Sequence, residues 1–159
     1  MCHNGYIPKI AYTGGFEPLD NKESATDAVR SNDEVHVRLV LAGNPHTTPA
    51  AFAKLAEDSS EKVRSRLASN PRLPEDVFKK LAKDESVEVR ESLCENPNTP
   101  DEILEQLAKD ASEDVRLAIA AVSTIPLNLL KALAEDDNMY VAGAAKKTLE
   151  EIEAKSDTK

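Results

Sequence analysis

Four arginines, Arg38, Arg64, Arg90 and Arg116, stand 26 residues apart, and three of them follow an aspartate by six residues: Asp58, Asp84 and Asp110. Guanidinium groups in a regular row can do one of two things. They can hold anions along a strip, or they can spend their planar donors on carboxylates of the chain itself. The constant Asp–Arg interval favours the second use, with each aspartate pairing with the arginine six residues on, across a turn. By that reading Asp136 has lost its partner, because position 142 is Ala.

The other chemistry-bearing residues form no constellation. Cys2 and His3 are adjacent but have no second Cys or His nearby to complete a metal site. Cys94 takes the slot held by Ala42, Ala68 and Ala120, so it is expected to be a small core residue. His36 and His46 fall at variable positions and are expected to face solvent. Glu75, Asp76, Asp101 and Glu102 suit the positive end of a helix dipole. No phosphate-cradling glycine loop, nucleophile elbow or metal-binding helix motif is present in the sequence. A non-enzymatic protein without cofactor is the expectation.

The spacing of the arginines belongs to a longer repeat. Residues 33–58, 59–84, 85–110 and 111–136 align without a gap, as SNPRLPEDVFKKLAKD from Ser69 and ENPNTPDEILEQLAKD from Glu95 illustrate, and a fifth, degenerate copy begins at Asp137. In each unit apolar residues recur as Val63, Leu67 and Ala68, then as Val77, Phe78, Leu81 and Ala82, the periodicity of two amphipathic helices. Ser60, Ser86 and Ser112 are expected to cap the first helix through their side chains. The Asn-Pro pairs beginning at 44, 70 and 96 should end it, because the residue before Pro is pushed out of the α region. Pro74, Pro100 and Pro126 suit the first turn of the second helix. A helical pair with one apolar stripe cannot bury that stripe alone, so the units must stack.

The units NPNTPDEILEQLAKDASEDVR and NPRLPEDVFKKLAKDESVEVR resemble the leucine-rich repeat variant family, which is HEAT-like. The resemblance covers roughly residues 33–142. It implies an all-α, right-handed solenoid of four to five 26-residue helical pairs whose second helix is partly 3₁₀. Some members carry a cysteine-rich iron–sulfur module at the N-terminus; this chain has only Cys2 there, so the cofactor is not carried over. Asp–Arg ladders are also found in HEAT-like repeats. HEAT-like relatives include scaffolds and DNA-alkylation glycosylases, so the fold does not fix the function.

The domain reading is an N-terminal extension over 1–32, a repeat domain over 33–154 closed by a capping helix over 137–154, and a disordered tail over 155–159. The extension holds Tyr6, Tyr12 and Phe16, half of the chain's aromatics, and is read as a cap over Leu39 and Val40 or a tether. The capping helix is expected to pack through Tyr140, Val141, Ala144, Ala145, Thr148, Leu149 and Ile152. Leu39, Val40, Leu117, Val122, Ile125 and Leu127 form apolar surpluses at the two ends, either covered by the terminal segments or sticky.

Residues that differ between units are not dictated by stacking, so specificity is sought there. Unit 59–84 has seven basic residues against four acids, whereas unit 85–110 has eight acids against two basic residues. The candidate partner surface is this step in charge: Lys62, Arg66, Arg72, Lys79 and Lys80 against Glu91, Glu95 and Glu105. With a net charge of −9, no apolar run long enough for a membrane span and no secretory-type start, the expectation is a cytoplasmic scaffold binding an unidentified protein, monomeric or weakly self-associating. The alternative is a nucleic-acid-binding or DNA-repair-type protein, supported by the basic second unit and opposed by the net acidity and scarce aromatics.

Overall fold

The computed structural model describes residues 35–156, and all regular structure among them is helical. The order is α1 (Val35–Gly43), α2 (Pro49–Leu55), α3 (Glu61–Ala68), α4 (Glu75–Leu81), α5 (Val87–Cys94), α6 (Asp101–Leu107), α7 (Glu113–Ala120), α8 (Leu127–Leu133) and α9 (Met139–Ser156). The expected N-terminal extension, 1–32, lies outside the described residues. α9 continues through Ser156, two residues into the segment read as a tail, and 157–159 lie outside the described residues.

Helices of seven to nine residues are too short to persist alone, so packing must hold them. The odd-numbered helices lie side by side in chain order, and each even-numbered helix packs on the first helix of its own pair and on the next one. Val63, Leu67, Val89, Leu93, Val115 and Ile119 from the first helices and Leu55, Leu81, Leu107 and Leu130 from the second are fully buried in one continuous core. These are the slots predicted from the periodicity. α9 closes the stack through Val141, Ala145 and Thr148, with Ala144, Leu149 and Ile152 half-buried beside them. Tyr140, expected in that contact, is instead 71% exposed.

The helix ends depart from the expected capping. At Ser60 and Ser86 no side-chain cap bond forms, and only Ser112 Oγ accepts, from the Asp114 N–H at 3.3 Å. The turn is organised by the aspartate two residues earlier: Ser60, Ser86 and Ser112 donate their N–H groups to Asp58, Asp84 and Asp110 at 2.8–2.9 Å. This is an Asx turn, which a carboxylate builds better than a hydroxyl. Pro74, Pro100 and Pro126 sit one position before the helix, as caps, and their carbonyls accept its first bonds. The second helices are α-helical over seven residues; tighter i→i−3 bonds occur at their ends, as from the Val77 N–H to Pro74 O at the start and from the Glu57 N–H to Lys54 O in the turn that follows.

Candidate interaction surface

The arginine row is internal, but its register differs from the sequence expectation. Arg38, Arg64, Arg90 and Arg116 each make a bidentate pair with the aspartate 20 residues onward: Asp58, Asp84, Asp110 and Asp136, with Nε–Oδ2 distances of 2.6–2.8 Å. The aspartate six residues back supplies its backbone carbonyl instead, taking Nη1 of Arg64, Arg90 and Arg116 at 2.6–2.8 Å. The physical reason is a division of labour. Each inner Asp carboxylate is already turned toward the preceding arginine and the Ser N–H, so only its carbonyl faces the next arginine. Asp136 is therefore partnered, by Arg116. The Arg116 hydrogen bond holds its carboxyl below the usual carboxylate range. At Asp110 burial pushes the carboxyl up, but bonds from Arg90 and the Ser112 N–H outweigh it and the net direction is down.

A second ladder went unread in the sequence. Asn70 and Asn96, kept as helix stops, are 1% and 5% exposed. Asn70 Nδ2 donates to the carbonyls of Ala42 and Asn44 at 2.7 and 3.0 Å, and its Oδ1 accepts from the Arg72 N–H at 2.9 Å. Asn96 repeats the arrangement on Ala68, Asn70 and the Asn98 N–H. Thr148, in the same slot of α9, donates to Ala120 O at 2.7 Å, whereas Val122 interrupts the series. The signal was the recurrence of Asn itself, since Pro alone suffices to stop a helix. Among the described residues no buried side-chain polar atom lacks a partner.

With both ladders turned inward, the remaining charge divides between two faces. Lys62, Arg66, Glu91 and Glu95 lie on the face of the first helices. Arg72, Lys79, Lys80 and Glu105 belong to the turns and helices on the second-helix side. The structure thus splits the proposed charge step in two. On the second-helix side the cations are partly spent: Lys79 pairs with Glu75 at 2.5 Å, and Lys80 pairs with Glu57. On the first-helix face, no ion pair among the described residues involves Lys62, Arg66, Glu88, Glu91 or Glu95. Glu91, half-buried there, has its carboxyl pushed up by burial and by the charges of Asp114, Glu88 and Glu95. The charge step survives on this face.

The seam between α3 and α5 is floored by small residues, with Ser65 Oγ and Ser92 Oγ 2.8 Å apart. Farther out, Val40 on α1 and Leu117 on α7 are 59% and 37% exposed. Leu127 and Val40 therefore remain apolar and exposed among the described residues, while Ile125 belongs to the core. Leu39 and Val122 are half-buried against it. Cys94 is buried as expected, and burial pushes its thiol up to about 12, with Glu91 and Asp110 adding to the effect. His36 and His46 are exposed.

Comparison with protein-family models, with curated proteins and with solved structures finds no match for this chain. No helix among the described residues is long and apolar enough to cross a membrane.

Proposed function

We propose that this chain is a non-enzymatic scaffold of the leucine-rich repeat variant type, a right-handed solenoid of four to five units that binds protein through the face of its first helices. The observation that carries the reading is the division between fixed and variable residues. Arginine, aspartate and asparagine at the fixed slots are consumed by bonds within the stack. At the variable slots, Lys62, Arg66, Glu88, Glu91 and Glu95 stay on the surface, with opposite charges side by side on adjacent helices. Such a surface steers a partner of complementary charge and fixes its register.

The test compares the wild-type chain with a Lys62→Glu/Arg66→Glu variant as bait in a native lysate, at low salt and at 1 M. A protein retained by the wild type, lost by the variant and released by salt supports the reading. Retention indifferent to both changes would place recognition elsewhere.

A further inference from the structure

The first-helix face, taken helix by helix, runs apolar, basic, acidic, apolar at its middle slots: Leu39 and Val40 on α1, Lys62 and Arg66 on α3, Glu88, Glu91 and Glu95 on α5, Leu117 and Ala121 at α7, with His36 and Asp114 at the outer slot of α1 and α7. The helices that carry it are parallel, because N-terminal bonds N-terminal and C-terminal bonds C-terminal. Ser86 Oγ donates to Glu61 Oε2 at one end, and Asn70 reaches the Ala42 carbonyl at the other. A two-fold axis lying in the face, along the seam between α3 and α5, turns a second copy face to face with the first, reversing the order of the helices and keeping their direction. It sets α3 opposite α5 and α1 opposite α7. Within those pairs Lys62, near the start of α3, meets Glu88, which holds the same slot near the start of α5. Arg66, farther along α3, meets Glu91 and Glu95 toward the end of α5. Leu39 and Val40 meet Leu117, which occupies the same mid-helix slot. At the axis stand Ser65 and Ser92, whose short side chains permit close approach.

We infer that a second copy of this chain is the occupant of the first-helix face, in a two-fold dimer that lays α3 of one copy across α5 of the other. The inference rests on the scaffold reading and names its partner. It follows from self-complementarity: one operation brings every basic residue of the face over acidic ones and every apolar residue over an apolar one. The other axis in the face, running across the helices, sets α3 on α3 and α5 on α5, opposes like charges and is disfavoured. Among the described residues Glu88, Glu91 and Glu95 make no ion pair, and Arg90 beside Glu91 is bound to Asp110, so the mate's Lys62 and Arg66 supply a countercharge.

Sedimentation equilibrium on the purified full chain tests this. The wild type is expected to dimerise at low salt and to dissociate toward 1 M, where the Debye length falls from about 10 Å to about 3 Å. Lys62→Glu/Arg66→Glu and Glu91→Lys/Glu95→Lys should each give monomers, since each makes α3 and α5 alike in sign. Mixed one to one, the two variants should recover a dimer, because both opposed pairs then have unlike charge. A wild type that stays monomeric at about 1 mM, the weak limit of specific association, overturns the inference. So does a dimer that survives either reversal, or a mixture that stays monomeric while both variants keep the wild-type helical signal. The salt series on the wild type needs no variant and decides by itself if a variant misfolds. A monomeric wild type that still retains another protein through Lys62 and Arg66 sinks the dimer and leaves the scaffold reading standing.

Discussion

Arg90 holds two turns together from one side chain, gripping the Asp110 carboxylate with Nε and Nη2 and the Asp84 carbonyl with Nη1. Arg90→Ala should therefore destabilise the fold by about 1–3 kcal/mol, the cost of leaving half-buried polar groups unpaired. The loss should shrink in acid. The folded Asp110 carboxyl lies below its ordinary value, so its stabilisation is present above about pH 4 and disappears as pH falls toward the depressed value. Denaturant melts of both proteins at pH 7 and pH 3 measure the two differences. Asn96→Ala should cost a similar amount, about 1–3 kcal/mol, because the Ala68 and Asn70 carbonyls and the Asn98 N–H lose their partner together. Asn98→Ala, at an exposed position with one bond to Pro71 O, should cost clearly less. Glu91 gives the opposite sign. An acid whose folded pKa is raised weakens the fold once ionised, so in dilute protein, below the concentration at which the dimer forms, Glu91→Gln should raise the thermal midpoint at pH 7. That gain should vanish as pH falls through the raised folded value toward the ordinary glutamate range. At concentrations where the dimer forms the sign should reverse, because the second copy then sets Arg66 against Glu91.

At the scale of the helix, sequence periodicity located both members of every pair, and the buried slots fell where the apolar spacing put them. Leu81 and Leu107 occupy equivalent places on α4 and α6 and are both fully buried. Replacing either by Ala should cost about 2–5 kcal/mol through the cavity left between layers. Leu127→Ala, at a half-exposed site on α8, should stay within about 0.5 kcal/mol. Circular-dichroism melts separate the two classes. The ends of the helices were less legible, for a geometrical reason. Ser60, Ser86 and Pro74 have the residue types of caps, but which atom of a turn meets which N–H depends on backbone angles that residue type leaves open. The Asp–Arg interval of six was real as a spacing and misleading as a pairing. It marked a backbone carbonyl contact, while the carboxylate partner stood 20 residues away, where only the folded pair brings it close. Lys79 and Lys80 were read as partner surface; the interval of four from Glu75 to Lys79 was a visible signal left unread, whereas Glu57, 23 residues from Lys80, reaches it only through the fold.

For the molecule as a whole, the fixed positions described a stack before any coordinates did, since four aligned units have no other way to bury their stripes. The charge step was legible as composition, but its division between two faces was not, because a unit's sum does not say which helix carries which residue. The side-chain bonds that tie units together have a fixed reach: 20 residues onward from each arginine, 28 and 26 back from each asparagine. None spans more than adjoining units. A bond network of that kind sets no length for the molecule; it works as a ruler that can be extended by one graduation. Inserting a second copy of residues 85–110 after Asp110 would give the new arginine its aspartate and the new asparagine its two carbonyls, with every old junction reproduced. The lengthened chain should fold, unfold with a steeper dependence on denaturant, and show in small-angle scattering a maximum dimension greater by about 8–10 Å, one helix layer. A chain that aggregates or keeps its original dimension would mean that some contact outside these ladders counts the units.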